Sequence, residues 1–346
     1  TEHLSKSSCS QHQLNPRKVQ LKHSRVSSTW TKIYISQICF TFYILHMLTS
    51  ALPLPSPGCD SGFGHALALR LSGRGLHVFA GVLDSEGVGA RSLREREPEH
   101  ITVLHMDVTN LEHIAQAKEH IKAKLGGKGL WGLVNNAGLL LYTVDAELTL
   151  TPYFRQLMEV NFLSAVTVTQ AFLPQIRRAR GRVVNVSSLA GAVPMPLFAA
   201  YSSSKAALSS FTGVLRLEML QWGVHVALIQ PSGFRTKIFS GDTSRYKEEL
   251  LSQTPPEVLE DYGSDYISQL PTSLNTMSQN AEVDLSPVLE AMEHALLSPW
   301  PRALYSPGRG AWLMPRLYSL LPNAAFDKVV LRLVNDTCRP TALGKD

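Results

Sequence analysis

The sequence predicts a doubly wound α/β domain built on a parallel sheet, Rossmann-like, over residues 58 to about 310. Three observations point to it. Short apolar runs alternate with amphipathic runs of helical length from residue 58 onward. A glycine-rich turn, GCDSGFG at 58–64, opens the first amphipathic run, and such a turn lets a phosphate approach a helix N-terminus. The polar residues that stand out fall at the C-terminal ends of apolar runs, where open α/β sheets bind ligands.

The elements follow from periodicity and breakers. HALALRLSGRG, 65–75, has helical apolar spacing and ends at Gly73 or Gly75. LHVFAGVL, 76–83, is a continuous apolar run of the kind a strand buried on both faces requires. ITVLHMDVT, 101–109, is a second strand, with Asp107 near its end, and residues 110–125 read as a helix. GLWGLVNNAG, 129–138, is a third strand leading into a turn. FRQLMEVNFLSAVTVTQAFLPQI, 154–176, is one long amphipathic helix. GRVVNVSSLAG, 181–191, is a fourth strand. YSSSKAALSSFTGVLRLEML, 201–220, is a helix, and VHVALIQPSG, 224–233, a fifth strand. Residues 237–285 are the least regular, with Pro255-Pro256 and many polar side chains. Residues 310–334 are apolar with few charges; a membrane-contacting helix pair, the wall of a lipophilic pocket and an ordinary packed helix all suit them.

The 346 residues are 44% hydrophobic and 18% charged, too apolar for a disordered chain. Six Lys/Arg against Glu2 give residues 1–57 a net charge of +5, equal to that of the whole chain. Residues 58–346 therefore balance at 27 of each sign and lack the basic excess of a nucleic-acid surface. Cys9, Cys39, Cys59 and Cys338 are too scattered for a disulfide framework or a zinc site, so no metal is expected. Residues 33–52 carry no formal charge over 20 positions, enough to cross a hydrocarbon core of about 30 Å as a helix. They are a candidate membrane anchor, with a buried strand as the alternative. The basic cluster before them favours a cytoplasmic N-terminus. PLPSP, 53–57, follows as a stiff linker.

Alone, the GxxxGxG spacing of 58–64 is a weak sign of dinucleotide binding. The combination downstream is specific. Tyr201 and Lys205 are four apart and share one face of their helix. Ser188 lies 13 residues before Tyr201 at a strand end, NNAG at 135–138 closes another strand, and Asn161 sits in the helix between. The glycine turn, the NNAG turn and the order Asn, Ser, Tyr, Lys with YxxxK resemble the short-chain dehydrogenase/reductase family over roughly 58–310. RGRVVNVSS, IQPSGFRT, PPEVLEDYGSDYI and YSPGRGAWL are most similar to its membrane-associated steroid and retinol dehydrogenases.

The resemblance implies a catalytic set of Asn161, Ser188, Tyr201 and Lys205. It implies a nicotinamide dinucleotide on Gly58, Asp60, Ser61, Gly62, Phe63 and Gly64, with Asp107 and Val108 at the adenine. Asn135, Ala137, Gly138, Tyr201 and Lys205 would line the cofactor further along, and Pro231, Gly233 and Thr236 would close over the nicotinamide. The implied reaction is NAD-dependent oxidation of a hydroxysteroid, the 17β-hydroxyl of estradiol or testosterone going to the ketone. Retinol and an 11β-hydroxysteroid are the alternatives. The implied partners are a small lipophilic substrate and the endoplasmic reticulum membrane, with room for a homodimer and none for nucleic acid.

The chemistry needs a base for the hydroxyl proton. A tyrosine with its reference pKa near 10 is a poor one. Lys205 and an oxidised nicotinamide would each favour the phenolate, and a depression of about 2–3 units asks roughly 3–4 kcal/mol of them. Ser188 would hydrogen-bond the substrate oxygen. The resemblance gives Asn161 a place in a water-linked proton relay with Lys205. Asp84, in the turn after VFAGVL, would accept from the adenosine ribose and repel a 2′-phosphate. No Arg or Lys occurs between Val78 and Ala90, so NAD is expected over NADP.

One feature departs from the family, which places a hydrophobic strand and a Thr directly before the first glycine. Here PLPSP occupies that place, and proline does not fit a strand bonded on both edges. The first strand is expected to be missing, with residues 1–57 foreign to the domain, or to be replaced by an upstream apolar run. Either way the chain is expected to fold poorly or bind NAD weakly. A catalytically silent binder of a lipophile or a partner is the competing reading from another class.

Overall fold

The apolar runs, rich in β-branched residues, assemble into a seven-stranded parallel sheet in the computed structural model. The structure describes residues 38–42, 62–239, 243–270, 272–333 and 340–344. The strands are β1 (Ile38–Phe42), β2 (His77–Val82), β3 (Ile101–His105), β4 (Gly132–Asn135), β5 (Arg182–Val186), β6 (His225–Ile229) and the short β7 (Leu304–Tyr305). Their spatial order is β3-β2-β1-β4-β5-β6-β7. The order reverses between β1 and β4, and the crevice at the C-terminal ends of those two strands is where such a sheet receives its ligand.

The central strand is the main departure from a reading based on the residues before the glycine turn. ICFTF, from inside the uncharged run 33–52, occupies the place that PLPSP cannot fill. Phe40 lies opposite Phe79 of β2 on one side and Leu133 of β4 on the other. Of the two expectations for the first strand, replacement by an upstream run is the one observed. Fifteen residues, 43–57, then separate β1 from Gly58. The remainder of 33–52 lies outside the described residues. No helix among the described residues is long and apolar enough to cross a membrane.

Helices cover both faces. They are α1 (Phe63–Ser72), α2 (Val88–Arg96), α3 (Leu111–Leu125), α4 (Thr151–Met158), α5 (Ser164–Ala179), α6 (Ala199–Met219) and α7 (Thr243–Gln253). They continue as α8 (Pro256–Tyr262), α9 (Ser264–Gln269), α10 (Thr272–Asn280), α11 (Ser286–Leu297), α12 (Met314–Leu320) and α13 (Asn323–Leu333). Alternation along β2 shows the two layers. Val78, Ala80 and Val82 pack with Leu67 and Leu71 of α1 and Met292 of α11. Phe79 points the other way, into Ile121 of α3, Phe172 of α5 and Leu215 of α6. The expected long helix at 154–176 is interrupted. A π turn, Glu159–Leu163, separates α4 from α5 and carries Asn161. Such turns insert one residue and often mark functional sites. The irregular stretch 237–285 is helical in short pieces, α7 to α10.

Because β1 is paired on both edges, a proline within it removes an N–H that the ladder uses. Phe40→Pro should cost about 3 kcal/mol or more and lower the melting temperature sharply, or abolish a cooperative transition, in circular-dichroism melts. A melt equal to that of the parent chain would mean that ICFTF is not the central strand.

Candidate active site

The glycine turn enters α1 through Gly62, whose φ of 136° suits only glycine. A Cβ built there would meet nothing within 4 Å, so the turn faces open space. The helix has no side-chain cap and no acid in its first turn. Its N-terminal N–H groups and dipole are thus suited to an anion. Phe63 packs edge-on against Phe234, 5.6 Å between centroids, joining this turn to the segment after β6. Gly64 is buried. Gly58, Asp60 and Ser61 lie outside the described residues.

Asp84 stands two residues past the end of β2, exposed. One carboxylate oxygen accepts from the Glu86 N–H at 3.0 Å, so the side chain also shapes its own turn. Arg94, one helical turn beyond Ala90, reaches back to this turn. It donates to the Ser85 carbonyl at 2.7 Å and lies 3.8 Å from Glu86. After β3, Asp107 accepts from the N–H and hydroxyl of Thr109 through one oxygen, and Val108 is buried beside it. After β6, the Pro231 carbonyl accepts from Leu189 N–H at 2.8 Å, which ties this segment to the loop following Ser188. The Gly233 carbonyl accepts from Glu282 N–H at 3.0 Å, and Thr236 precedes the short turn Lys237–Phe239.

The four residues of the expected catalytic set come together. Ser188 caps the turn after β5 and hydrogen-bonds Tyr201 through its side chain. Tyr201 and Lys205 lie one turn apart on α6, with Nζ 5.9 Å from the centroid of the phenol ring. Nζ donates to the Val186 carbonyl at the end of β5, at 2.9 Å. The Asn161 side-chain oxygen accepts from Leu139 N–H at 2.6 Å, and its amide donates to the Leu139 carbonyl and to Ser204, each at 2.9 Å. Ser204 donates to the Tyr201 carbonyl at 2.7 Å. Asn161 therefore clamps the first residue after NNAG onto the helix that carries the tyrosine and lysine. Gly138 is needed for the closeness of this packing: a Cβ there would stand 3.1 Å from Lys205 Nζ and 3.4 Å from the Asn161 oxygen. Ala137 is partly buried against the α3–α5 face of the sheet.

Burial governs both titrating groups. It pushes the Tyr201 phenol up to about 12, with the Ser188 hydrogen bond acting in the opposite direction. It brings the Lys205 ammonium down to about 8. The expected depression of the phenol is thus not achieved by Lys205 acting alone. Desolvation outweighs the Ser188 hydrogen bond.

A buried polar ladder underlies the site. Asn135 donates to Thr169 at 2.9 Å and to its register partner Asn185 at 2.7 Å, and Asn185 donates to Thr212 at 2.9 Å. Ser187 donates to the Lys205 carbonyl at 2.8 Å and contacts Ser209. Asn135 was expected as a cofactor contact, but its amide is committed to Thr169 and Asn185. Its partners, with Ser187 and Ser204, escaped the sequence reading. Ser187 is visible only as the residue before Ser188, and Ser204 as a residue one turn from Tyr201.

The residues present fit a nicotinamide dinucleotide. Open space lies over the glycine at the α1 N-terminus, and an ammonium with two protons beyond its Val186 bond sits beneath Gly138. Residues 57–247 match the family profile described as short chain dehydrogenase. The chain belongs to that family. It is 42% identical over 309 residues to the 17-beta-hydroxysteroid dehydrogenase type 2 of Homo sapiens, covering 87% of this chain and 80% of that protein. It is 44% identical over 270 residues to the 11-beta-hydroxysteroid dehydrogenase type 2 of Ovis aries, covering 77% of this chain and 63% of that protein. Its fold superposes on a short-chain dehydrogenase from Streptomyces avermitilis with a TM-score of 0.64 at 24% identity, covering 90% of this chain and 99% of that one. As a short-chain dehydrogenase of the hydroxysteroid type, the chain is an oxidoreductase acting on CH–OH donors with a nicotinamide cofactor.

The lysine makes a pH-linked stability prediction. Below pH 8 the ammonium is charged in folded and unfolded chains alike, and its burial cost is fully present. Between about 8 and the ordinary 10.5, the folded chain has lost the proton and the unfolded chain keeps it, so stability rises with pH. Urea unfolding of the parent chain and of Lys205→Met should therefore differ by an amount that moves in favour of the parent between pH 8 and 10. A difference that stays flat would contradict the buried ammonium.

Proposed function

We propose that this short-chain dehydrogenase oxidises the 17β-hydroxyl of a steroid to the ketone with NAD, through Tyr201, Ser188, Lys205 and Asn161. The observation that carries this is the Tyr201–Ser188 hydrogen bond with Lys205 buried beside it, under an apolar cluster that includes Leu139, Leu197 and Tyr246. Oxidised nicotinamide, when bound, supplies the hydride acceptor. The Tyr201 oxygen receives the proton of the substrate hydroxyl. Ser188 hydrogen-bonds the same oxygen and sets its distance from the phenol. Lys205 stabilises the phenolate by charge and holds the cofactor ribose. Asn161 fixes the Leu139 backbone against α6, and a water on that backbone would extend a relay from Lys205.

NAD is favoured over NADP by two facts. Asp84 places a carboxylate at the end of β2, and the nearby Arg94 is already engaged by Ser85 and Glu86. A 2′-phosphate would meet a negative charge whose local cation is partly neutralised. NAD dependence makes oxidation the expected direction in cells. NADH formation should be detectable with estradiol or testosterone and NAD, and weaker with NADP, retinol or an 11β-hydroxysteroid. Tyr201→Phe should lower kcat by a factor of at least about 100 with a near-native melt. Equal rates in the variant would exclude Tyr201 as the base.

The same reading places the enzyme at the endoplasmic reticulum membrane. The C-terminal pair supports it. Phe326 and Val330 of α13 pack inward on Val193 and Leu189, while Trp312, Leu320 and Leu331 are more than half exposed. Arg309, Arg316, Lys328 and Arg332 lie among them against the single acid Asp327, and the Arg316 guanidinium sits 4.2 Å from the Trp312 ring centroid. Aromatic and aliphatic side chains flanked by cations suit an anionic lipid interface. Exposed Leu163, Val214 and Leu217 on the α5–α6 side are the support for a homodimer. Trp312→Ser with Leu320→Ser should reduce flotation with phosphatidylcholine/phosphatidylserine vesicles about tenfold without moving the melting temperature. Undiminished flotation would remove this face from the account.

A further inference from the structure

The apolar cluster over the candidate site contains a polar atom that nothing in its surroundings satisfies. Tyr246 of α7 is 1% exposed, and its hydroxyl has no hydrogen-bond partner among the described residues. Buried hydroxyls are ordinarily bonded, and an exception calls for a physical reason. Leu140, Leu141, Leu148, Leu250, Ile267 and Leu274 of the same cluster are alkyl, and the Glu249 carboxylate, whose charge acts on this phenol, is bonded by Tyr153 instead.

The rings around Tyr246 are arranged around it. Tyr142 lies face to face with it, 3.3 Å between centroids and 2° between planes, and Tyr153 is edge-on at 5.4 Å. The Tyr153 hydroxyl is committed to the Glu249 carboxylate. A full face-to-face pair is not the preferred aromatic geometry, so it resists separation less than an offset one. Tyr142 belongs to the segment that begins at Leu139, the residue whose N–H and carbonyl both bond Asn161. Tyr246 is thus joined to the catalytic constellation through one short run of chain, while it stands on a different element from Tyr201 and Ser188.

We propose that Tyr246 is a specificity-determining residue: its hydroxyl bonds a second oxygen, hydroxyl or ketone, carried by the lipophilic substrate away from the carbinol that Tyr201 serves. The inference rests on the hydroxysteroid reading above and adds to it the recognition of the far end. Burial raises the phenol further above its ordinary value, so it stays protonated at neutral pH and can donate to a ketone or a hydroxyl oxygen. A site built to bond a substrate oxygen discriminates strongly against the analogue that lacks it, because the protein group is then left unpaired. An apolar cluster alone would not discriminate this way.

The test compares estradiol with its 3-deoxy analogue, which keeps the 17β-hydroxyl and lacks the remote oxygen. The full chain in membranes is assayed with NAD, as the parent and as Tyr246→Phe. The parent should show a KM for estradiol about tenfold or more below that for the 3-deoxy steroid. Tyr246→Phe should raise the estradiol KM to the level of the analogue, with kcat for both steroids and KM for the analogue unchanged. A variant that keeps the parent preference overturns the proposal, as does a parent that shows none. Equal losses on both steroids would mean a packing role and overturn it too. If the parent oxidises neither steroid, the hydroxysteroid reading itself fails and this assignment fails with it.

Discussion

An ammonium buried with no ion pair among the described residues is the constraint on which this site depends. Lys205 is 2% exposed, and its recorded hydrogen bond is to a backbone carbonyl, Val186, with a phenol ring 5.9 Å away. Taking a cation out of water is unfavourable, and dipoles offset this only if they are held in place. Three elements do the holding. β5 presents the carbonyl. The NNAG turn brings Gly138 close enough that a Cβ there would stand 3.1 Å from Nζ. The loop after Ser188 brings Gly191 against the Lys205 backbone, where a Cβ would stand 2.7 Å from the lysine carbonyl carbon. The polar residues around this point act as supports for that position. Ser187 bonds the Lys205 carbonyl, Ser204 bonds the Tyr201 carbonyl, and Asn161 ties Ser204 to Leu139, the residue after NNAG. A destabilised cation is also what a hydride transfer from an alcohol can use, since negative charge arriving on a neighbouring phenol then relieves it.

Much of this was legible in the sequence, for identifiable reasons. Tyr201 and Lys205 lie four apart, and helical geometry puts residues at that spacing on one face whatever else surrounds them. The inner strands are apolar on both faces, so their runs are unbroken and their ends locate the crevice. The Asn161 clamp was not legible, because its contacts to Leu139 and Ser204 reach across 22 and 43 positions of chain. A sequence pattern reports neighbours in the chain. The π turn at Asn161 was hidden for a related reason. One inserted residue hardly alters an amphipathic pattern, yet it rotates the side chain that clamps Leu139. Arg94 escaped because helix α2 carries it back over a turn that ends nine residues earlier.

The central strand shows the opposite case, in which the sequence warned correctly that something was wrong and the fold found a substitute. A strand between two parallel neighbours needs an N–H on every residue, and the three prolines of PLPSP have none. Every residue of ICFTF has one, and the segment comes from a run whose length and lack of charge also suit a membrane. Apolar length and apolar strand character share the same residues, so composition alone does not decide between them. What decides is pairing. β2 and β4 would otherwise each lose a bonded edge in the middle of the sheet, and unpaired buried backbone is costly.

The loop between Ser188 and Tyr201 links the site to the C-terminal helices. Met195 packs against the apolar cluster over the site and also against the cluster of α12 and α13. Leu197 holds a φ of 69°, a left-handed conformation that a leucine adopts only at a cost of about 1 kcal/mol or more. That strain is local, four residues before Tyr201, and it is offset by the burial of the Leu197 side chain among the residues of the cluster. The loop is therefore over-determined from both sides. One side is the apolar cluster over the site, and the other is the packing of α12 and α13, so a change in either bears on the segment that carries Tyr201.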